Sequence, residues 1–217
     1  MTMMPISQMP DDIKQDIAKV ADAMRYMAVG GTCHFRSVAG MFALRLAGVE
    51  AQRCIGGMIY RAGPDERSDV VAFCGPGNVG RFKDGMFMGH MWLRAGDALI
   101  DFSSGDWRGE VEAFGPLIDD GYAKLGPIQW TADPPAFFWG LWDSFMPPRI
   151  NGTVWTPELG RAAYTGFHGT AEERRKLDDI SPEMKPMIEL LLRRQMELAK
   201  QLDIKARVAA WRTGARS

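Results

Sequence analysis

The chain has little to bind it together covalently and little net charge. Its 217 residues include only three cysteines, at 33, 54 and 74, and 26 Lys and Arg stand against 27 Asp and Glu for a net charge of -1. An odd number of scattered cysteines fits neither a disulfide framework nor a CxxC zinc site, so a reducing, cytoplasmic setting is expected. A charge near zero gives no general pull toward nucleic acid or anionic membrane. Met1 to Lys14 has no basic segment followed by an apolar run, so no signal peptide is expected. No apolar run approaches the roughly 18 residues of a membrane span. Gly75-Pro76-Gly77-Asn78-Val79-Gly80 has the look of a phosphate loop, but it lacks the Lys-Ser/Thr ending and reads as a surface loop. No cofactor or metal is called for.

What is present is a core of ordinary size (46% hydrophobic residues) and one informative stretch, Gly30-Gly31-Thr32-Cys33-His34-Phe35-Arg36-Ser37-Val38-Ala39-Gly40-Met41-Phe42-Ala43-Leu44. Phe35, Val38, Ala39, Phe42 and Leu46 recur at helical spacing, with Thr32 as the expected N-cap and Gly48 where a left-handed C-cap is wanted. Cys33 then lies in the first helical turn, where orphan amides and the macrodipole favour thiolate over thiol. A second helix is expected over Pro10–Ala28, with Ile13, Ile17, Val20, Met24 and Met27 on one face.

After the Cys33 helix, Ala51–Arg61 and Val70–Cys74 read as strands, with Gly56-Gly57 marking a bulge or a close backbone approach. His90 to Ser103 reads as a β-hairpin. With Gly96-Asp97 as a type II′ loop, Ala95 opposes Ala98, Leu93 opposes Ile100 and Met91 opposes Phe102, and one face is wholly apolar. A shift by one residue mixes polar and apolar side chains on both faces. In the favoured register His90, Trp92 and Asp101 share the other face, with the His90 and Asp101 Cβ atoms about 7–8 Å apart.

Gly105–Gly109 reads as a turn. Residues 110–170 are irregular and aromatic, with strands expected around Ile128–Thr131 and Thr153–Trp155 and the rings filling core. From Ala171 the chain turns helical: Ser181-Pro182-Glu183 opens a helix whose apolar side is Met187, Leu190, Leu191, Met196 and Leu198.

A thiol nucleophile needs a base, and the base needs an orienting group. His34 is adjacent to Cys33 on one helix and faces elsewhere; His168 sits in an unpatterned loop. His90 alone has an acid on its own face. Cys33 as nucleophile, His90 as base and Asp101 as its orienter form the expected constellation, with the Cys33 backbone N–H at an oxyanion hole and Trp92 and Thr32 toward substrate. Asp97 and Asp106 are rival acids, and a metal site at Cys33, His34 and His90 is disfavoured by adjacent ligands.

The segments Gly31-Thr32-Cys33…Leu46-Ala47-Gly48 and Gly89-His90-Met91-Trp92…Ile100-Asp101 resemble the Cys and His–Asp motifs of the transglutaminase-like branch of the papain-like thiol enzymes. Gly30-Gly31-Thr32-Cys33-His34-Phe35 is also similar to the Gly-Gly-x-Cys motif of arylamine N-acetyltransferases, members of the same superfamily. The resemblance spans residues 25–107. It implies an α+β fold, with N-terminal helices packed on an antiparallel sheet in a catalytic domain over 1–170 and a C-terminal helical extension over 171–217. It also implies thiol acyl transfer on a peptide, protein or small amide or ester. The segment before Cys33 is short for an acetyltransferase, and there is no calcium loop of the large crosslinking enzymes. An arylamine-type acetyltransferase and an inactive interaction module on the same scaffold are the alternatives.

Overall fold

The computed structural model describes residues 4–23, 32–64, 67–73, 82–83, 86–87, 90–114, 128–145, 162–166 and 185–214. It is an α+β protein. Helix α1 (Asp11–Ala21) begins after Pro10 with Asp11 and Asp12 in its first turn, where acidic groups suit the positive end of the dipole. Helix α2 (Thr32–Leu46) ends in a Schellman motif. Gly48, at φ 74°, donates to Arg45 O and Val49 donates to Leu44 O, closing the last carbonyls.

Strand β1 (Gln52–Arg61) is the hub of a six-stranded antiparallel sheet. It pairs through Met58–Arg61 with β2 (Val70–Phe73) and through Gln52–Gly56 with β5 (His90–Ala95). Through Gly56–Tyr60 it pairs with β8 (Ala162–Gly166). Gly56, the first of the expected Gly56-Gly57 pair, faces both His90 and Gly166. Strand β6 (Ala98–Asp101) follows β5, and β7 (Phe138–Leu141) lies beyond it. Two short strands, β3 (Phe82–Lys83) and β4 (Met86–Phe87), form a separate pair.

The hairpin has the expected register: Ala95 faces Ala98, Arg94 faces Leu99 and Leu93 faces Ile100. Gly96 takes φ 57° and, among the described residues, Asp203 is the only non-glycine with positive φ, which fits a type II′ loop at Gly96-Asp97. Strand parity then separates two cores. Leu93, Ala95, Ala98, Ile100 and Phe102 pack against Ile13, Ile17 and Val20 of α1 and Ala43 and Leu44 of α2. Trp92 and Leu99 point the other way, into a cluster with Met58, Tyr60, Trp107, Phe138 and Tyr164.

Several local expectations change. Residues 105–109 are not a turn: a 3-10 turn at Ser104–Asp106 runs into α3 (Trp107–Phe114), held by the fully buried Trp107. The 128–131 segment runs beside the β1–β2 turn, with Thr131 N donating to Ala62 O, without becoming a strand. The strand is β7 instead, where Phe138 joins the aromatic core while Phe137 and Trp139 pack on the helical side. It leads into the short helix α4 (Trp142–Phe145).

Helix α5 (Lys185–Gln201) buries Ile188, Leu191, Gln195 and Ala199, whereas Leu190 and Met196, expected inside, are 41% and 58% exposed. The reason is polar: Gln195 Nε2 donates to the carbonyls of Val20 and Ala39 and so turns its own face toward α1 and α2. Helix α6 (Ile204–Thr213) adds Ile204 and Val208 to the same core as α1, and Arg207 pairs with Asp12 and Asp16. Residues of the expected C-terminal extension are thus part of the helical core.

Met24, Met27, Cys74, the Gly75–Gly80 loop, Thr153–Trp155, His168 and Ser181–Glu183 lie outside the described residues. Among the described residues no helix is long and apolar enough to cross a membrane.

Candidate functional site

Cys33 is the second residue of α2, in the first turn, where backbone amides have no intrahelical acceptor. The helix starts at Thr32, the residue expected as its cap, whose side chain lies outside the described residues. Helix α2 lies along β5, where Ser37 Oγ reaches Met91 Sδ at 3.8 Å. That packing carries the N-terminal turn of α2 to the first residue of β5, His90.

His90 and Asp101 stand on the same face of the hairpin, as the register requires. His90 Nε2 is 2.6 Å from Asp101 Oδ2. An ionised carboxylate only accepts, so Nε2 carries the proton in this bond. The side chain of His90 is also hydrogen-bonded to that of Cys33. With Nε2 engaged by Asp101, Nδ1 is the nitrogen available to the thiol. Cys33 is partly exposed and is not in a disulfide.

Asp101 is held by more than the imidazole. Ser103 donates to Oδ1 from its backbone N–H at 2.8 Å and from Oγ at 2.6 Å, and the Tyr164 hydroxyl donates to Oδ2 at 2.9 Å. The four lone-pair sites of the carboxylate are therefore filled. Burial pushes the Asp101 carboxyl up, but the charge and hydrogen bond of His90 and the bonds from Ser103 hold it below its usual range. Burial pulls His90 down, and the charge and hydrogen bond of Asp101, with the Cys33 thiol, push it up to about 10. Three rings enclose the imidazole. Trp92 is stacked at 6.1 Å between centroids, Trp107 stands edge-on at 5.9 Å and Tyr164 is tilted at 6.0 Å. An aromatic face turned to an imidazolium favours its charge, and the three rings together keep water away.

Trp92, expected to meet substrate, is 1% exposed and lies in the aromatic core against His90, where it supports the ring rather than opening onto a cleft. The rival acids have other duties. Asp97 accepts from the Ser7 hydroxyl and from Ser7 N at 3.2 Å, which ties the hairpin loop to the N-terminal segment. Asp106 accepts from Arg36 Nε at 2.8 Å. Among the described residues no cluster of three His, Cys, Asp or Glu side chains has the arrangement of a metal site.

Sequence reasoning missed Ser103 and Tyr164 as partners of the acid. Ser103, two residues after Asp101, has the spacing of an Asx turn and was accessible from sequence. Tyr164 was not: it comes from a strand distant in the chain, and nothing local marks it.

No family model and no curated protein matches the chain. Among solved structures, a crystal structure of a genomics target is similar at TM-score 0.51 and 18% identity, covering 87% of this chain and 79% of its own. That likeness concerns the fold: mixed helices with an antiparallel sheet.

Proposed function

We propose that the chain is a thiol-dependent acyl-transfer enzyme of the amide or ester hydrolase, peptidase or deamidase kind, on a transglutaminase-like form of the papain-like core. The observation that supports this reading is a single buried imidazole hydrogen-bonded at once to a thiol at a helix mouth and to a fully engaged carboxylate. With His90 raised to about 10, the proton that Cys33 gives up already rests on the imidazole, and Cys33 Sγ attacks the substrate carbonyl carbon beside the imidazolium. The resulting oxyanion faces the Cys33 backbone N–H. The C–N or C–O bond then breaks, the departing amine or alcohol takes the proton from His90, and a thioester remains on Cys33. Water or an amine, deprotonated by the now neutral His90, attacks the thioester, and the sulfur departs while that proton stays on the imidazole, which restores the starting state. Asp101 holds the imidazole in the Nε2–H tautomer and stabilises the imidazolium throughout.

A partly exposed Cys33 within hydrogen-bond reach of His90 supports an active site over an inactive interaction module, whose thiol would be sealed or out of reach. A reducing compartment such as the cytoplasm suits a catalytic thiol that must stay reduced. The test is iodoacetamide labelling near neutral pH with peptide mapping. Cys33 is expected to take the label quickly, whereas burial pushes the Cys54 thiol up to about 11 and leaves it protonated. Cys33→Ala abolishes the fast labelling with the circular dichroism spectrum unchanged. Fast label on Cys54 or Cys74 overturns the assignment. Incubation with acetyl-CoA and intact-mass measurement separates the acetyltransferase alternative, which requires an acetyl adduct on Cys33.

A further inference from the structure

We propose that Tyr164 is a positioning residue of this site, its hydroxyl sharing Asp101 Oδ2 with His90 Nε2 and so setting how strongly the carboxylate draws the imidazole. The inference rests on the reading of Cys33, His90 and Asp101 given above. It starts from an oddity of the aromatic core. Tyr164 is fully buried among Trp92, Trp107, Phe138 and Met58, a setting in which phenylalanine packs equally well and a hydroxyl is costly unless bonded. The hydroxyl is aimed at the acid, 2.9 Å from the oxygen that also receives His90 Nε2 at 2.6 Å. Burial and the neighbouring Asp101 charge raise the phenol well above its usual range, so it stays protonated and serves only as a donor.

Two donors on one oxygen compete for its electron density. Tyr164 therefore weakens the pull of Asp101 on His90 Nε2 while helping Ser103 keep the carboxylate charged and unable to rotate. The strand register fixes the arrangement, because β8 pairs with β1 at Met58–Tyr164 and Gly56–Gly166, and Gly56 in turn faces His90. The sheet thus delivers the hydroxyl to the acid from a strand that carries none of the three reacting groups.

The test compares the full-length protein with Tyr164→Phe and with 3-fluorotyrosine incorporated at 164, reading the Nε2 proton resonance of 15N-histidine-labelled His90 at neutral pH. Tyr164→Phe removes the competing donor, so the resonance is expected to move downfield. Fluorination makes the phenol a stronger donor and is expected to move it upfield. A resonance that stays put, or that moves the same way in both proteins as a packing defect would make it do, overturns the proposal. If the phenylalanine variant does not fold, the direction given by fluorotyrosine decides alone. Alkylation of Cys33 is followed in the same samples. A Cys33 that reacts no faster than a free thiol in the parent protein defeats the enzymatic reading, while the His90 resonance still judges Tyr164.

Discussion

Gly40 of α2 lies directly against Phe102. A β-carbon at position 40 would stand 2.2 Å from Phe102 Cδ2, 2.6 Å from Cε2 and 3.0 Å from Leu93 Cδ1. This is the point at which the helix carrying Cys33 rests on the hairpin carrying His90 and Asp101. In a free helix Gly→Ala stabilises by about 1 kcal/mol. Here overpacking is expected to reverse the sign, and Gly40→Ala should lower stability by about 1–3 kcal/mol in urea unfolding. It should also slow Cys33 alkylation, because the helix must lift from the sheet.

Gly48 makes a contrasting case. Its φ is 74° and a β-carbon there meets nothing within 4 Å, so only backbone conformation is at stake. Gly48→Ala should cost about 1 kcal/mol and Gly48→Asn less, since asparagine tolerates the left-handed region. Thermal unfolding of the two variants distinguishes them, with Cys33 alkylation unchanged in both.

Arg36, one turn after Cys33 on α2, is 3% exposed, with Nε on Asp106 at 2.8 Å and Nη1 on Asp22 at 2.6 Å. Asp22 is 38% exposed and well screened, so the Asp106 bond dominates. Arg36→Met leaves the half-buried Asp106 without this guanidinium and should destabilise by about 2 kcal/mol. Asp106→Asn should lose less, because the amide oxygen still accepts from Nε. Chemical denaturation gives both numbers.

The buried His90–Asp101 pair has a defined pH signature. His90 is raised from 6.5 to about 10, so its contribution to stability is complete below 6.5 and is lost as pH rises toward 10. Asp101 is lowered from 3.8, so its contribution is complete above that value and is lost as pH falls through its depressed one. The parent protein should therefore exceed Asp101→Asn in unfolding midpoint most clearly between pH 4 and 6.5, with the gap narrowing on either side. A pH-independent difference between the two would contradict the pairing.

The hairpin and its acid were legible in the sequence because strand parity is rigid. Once Gly96-Asp97 is the loop, the faces of His90 and Asp101 follow from counting residues. Helix α2 was legible from Gly48 and the spacing of its apolar residues. Strand β8 was not, because Ala162-Ala163-Tyr164-Thr165-Gly166 has little intrinsic strand character and is held by its pairing with β1. The buried face of α5 was read in part: Leu191 is buried and Met187 and Leu198 pack inward as expected, but hydropathy ranks Leu190 and Met196 above Gln195, which two carbonyls on other helices hold inside. Trp92 faces the site as parity demands, yet β1 and β8 cover it, and only tertiary structure reveals the cover.

The contacts of Gln195 with Val20 and Ala39, and of Arg207 with Asp12 and Asp16, have a bearing on biosynthesis. Helices α1 and α2 are translated well before α5 and α6, the helices that cover them. Until α5 and α6 are made, the face of α1 and α2 that they cover is open to solvent and chaperones, while α2 already has the hairpin to rest on. A ribosome-stalled nascent chain ending before residue 185 should therefore leave that face of α1 and α2 exposed to an apolar dye, and a chain that includes α5 and α6 should not.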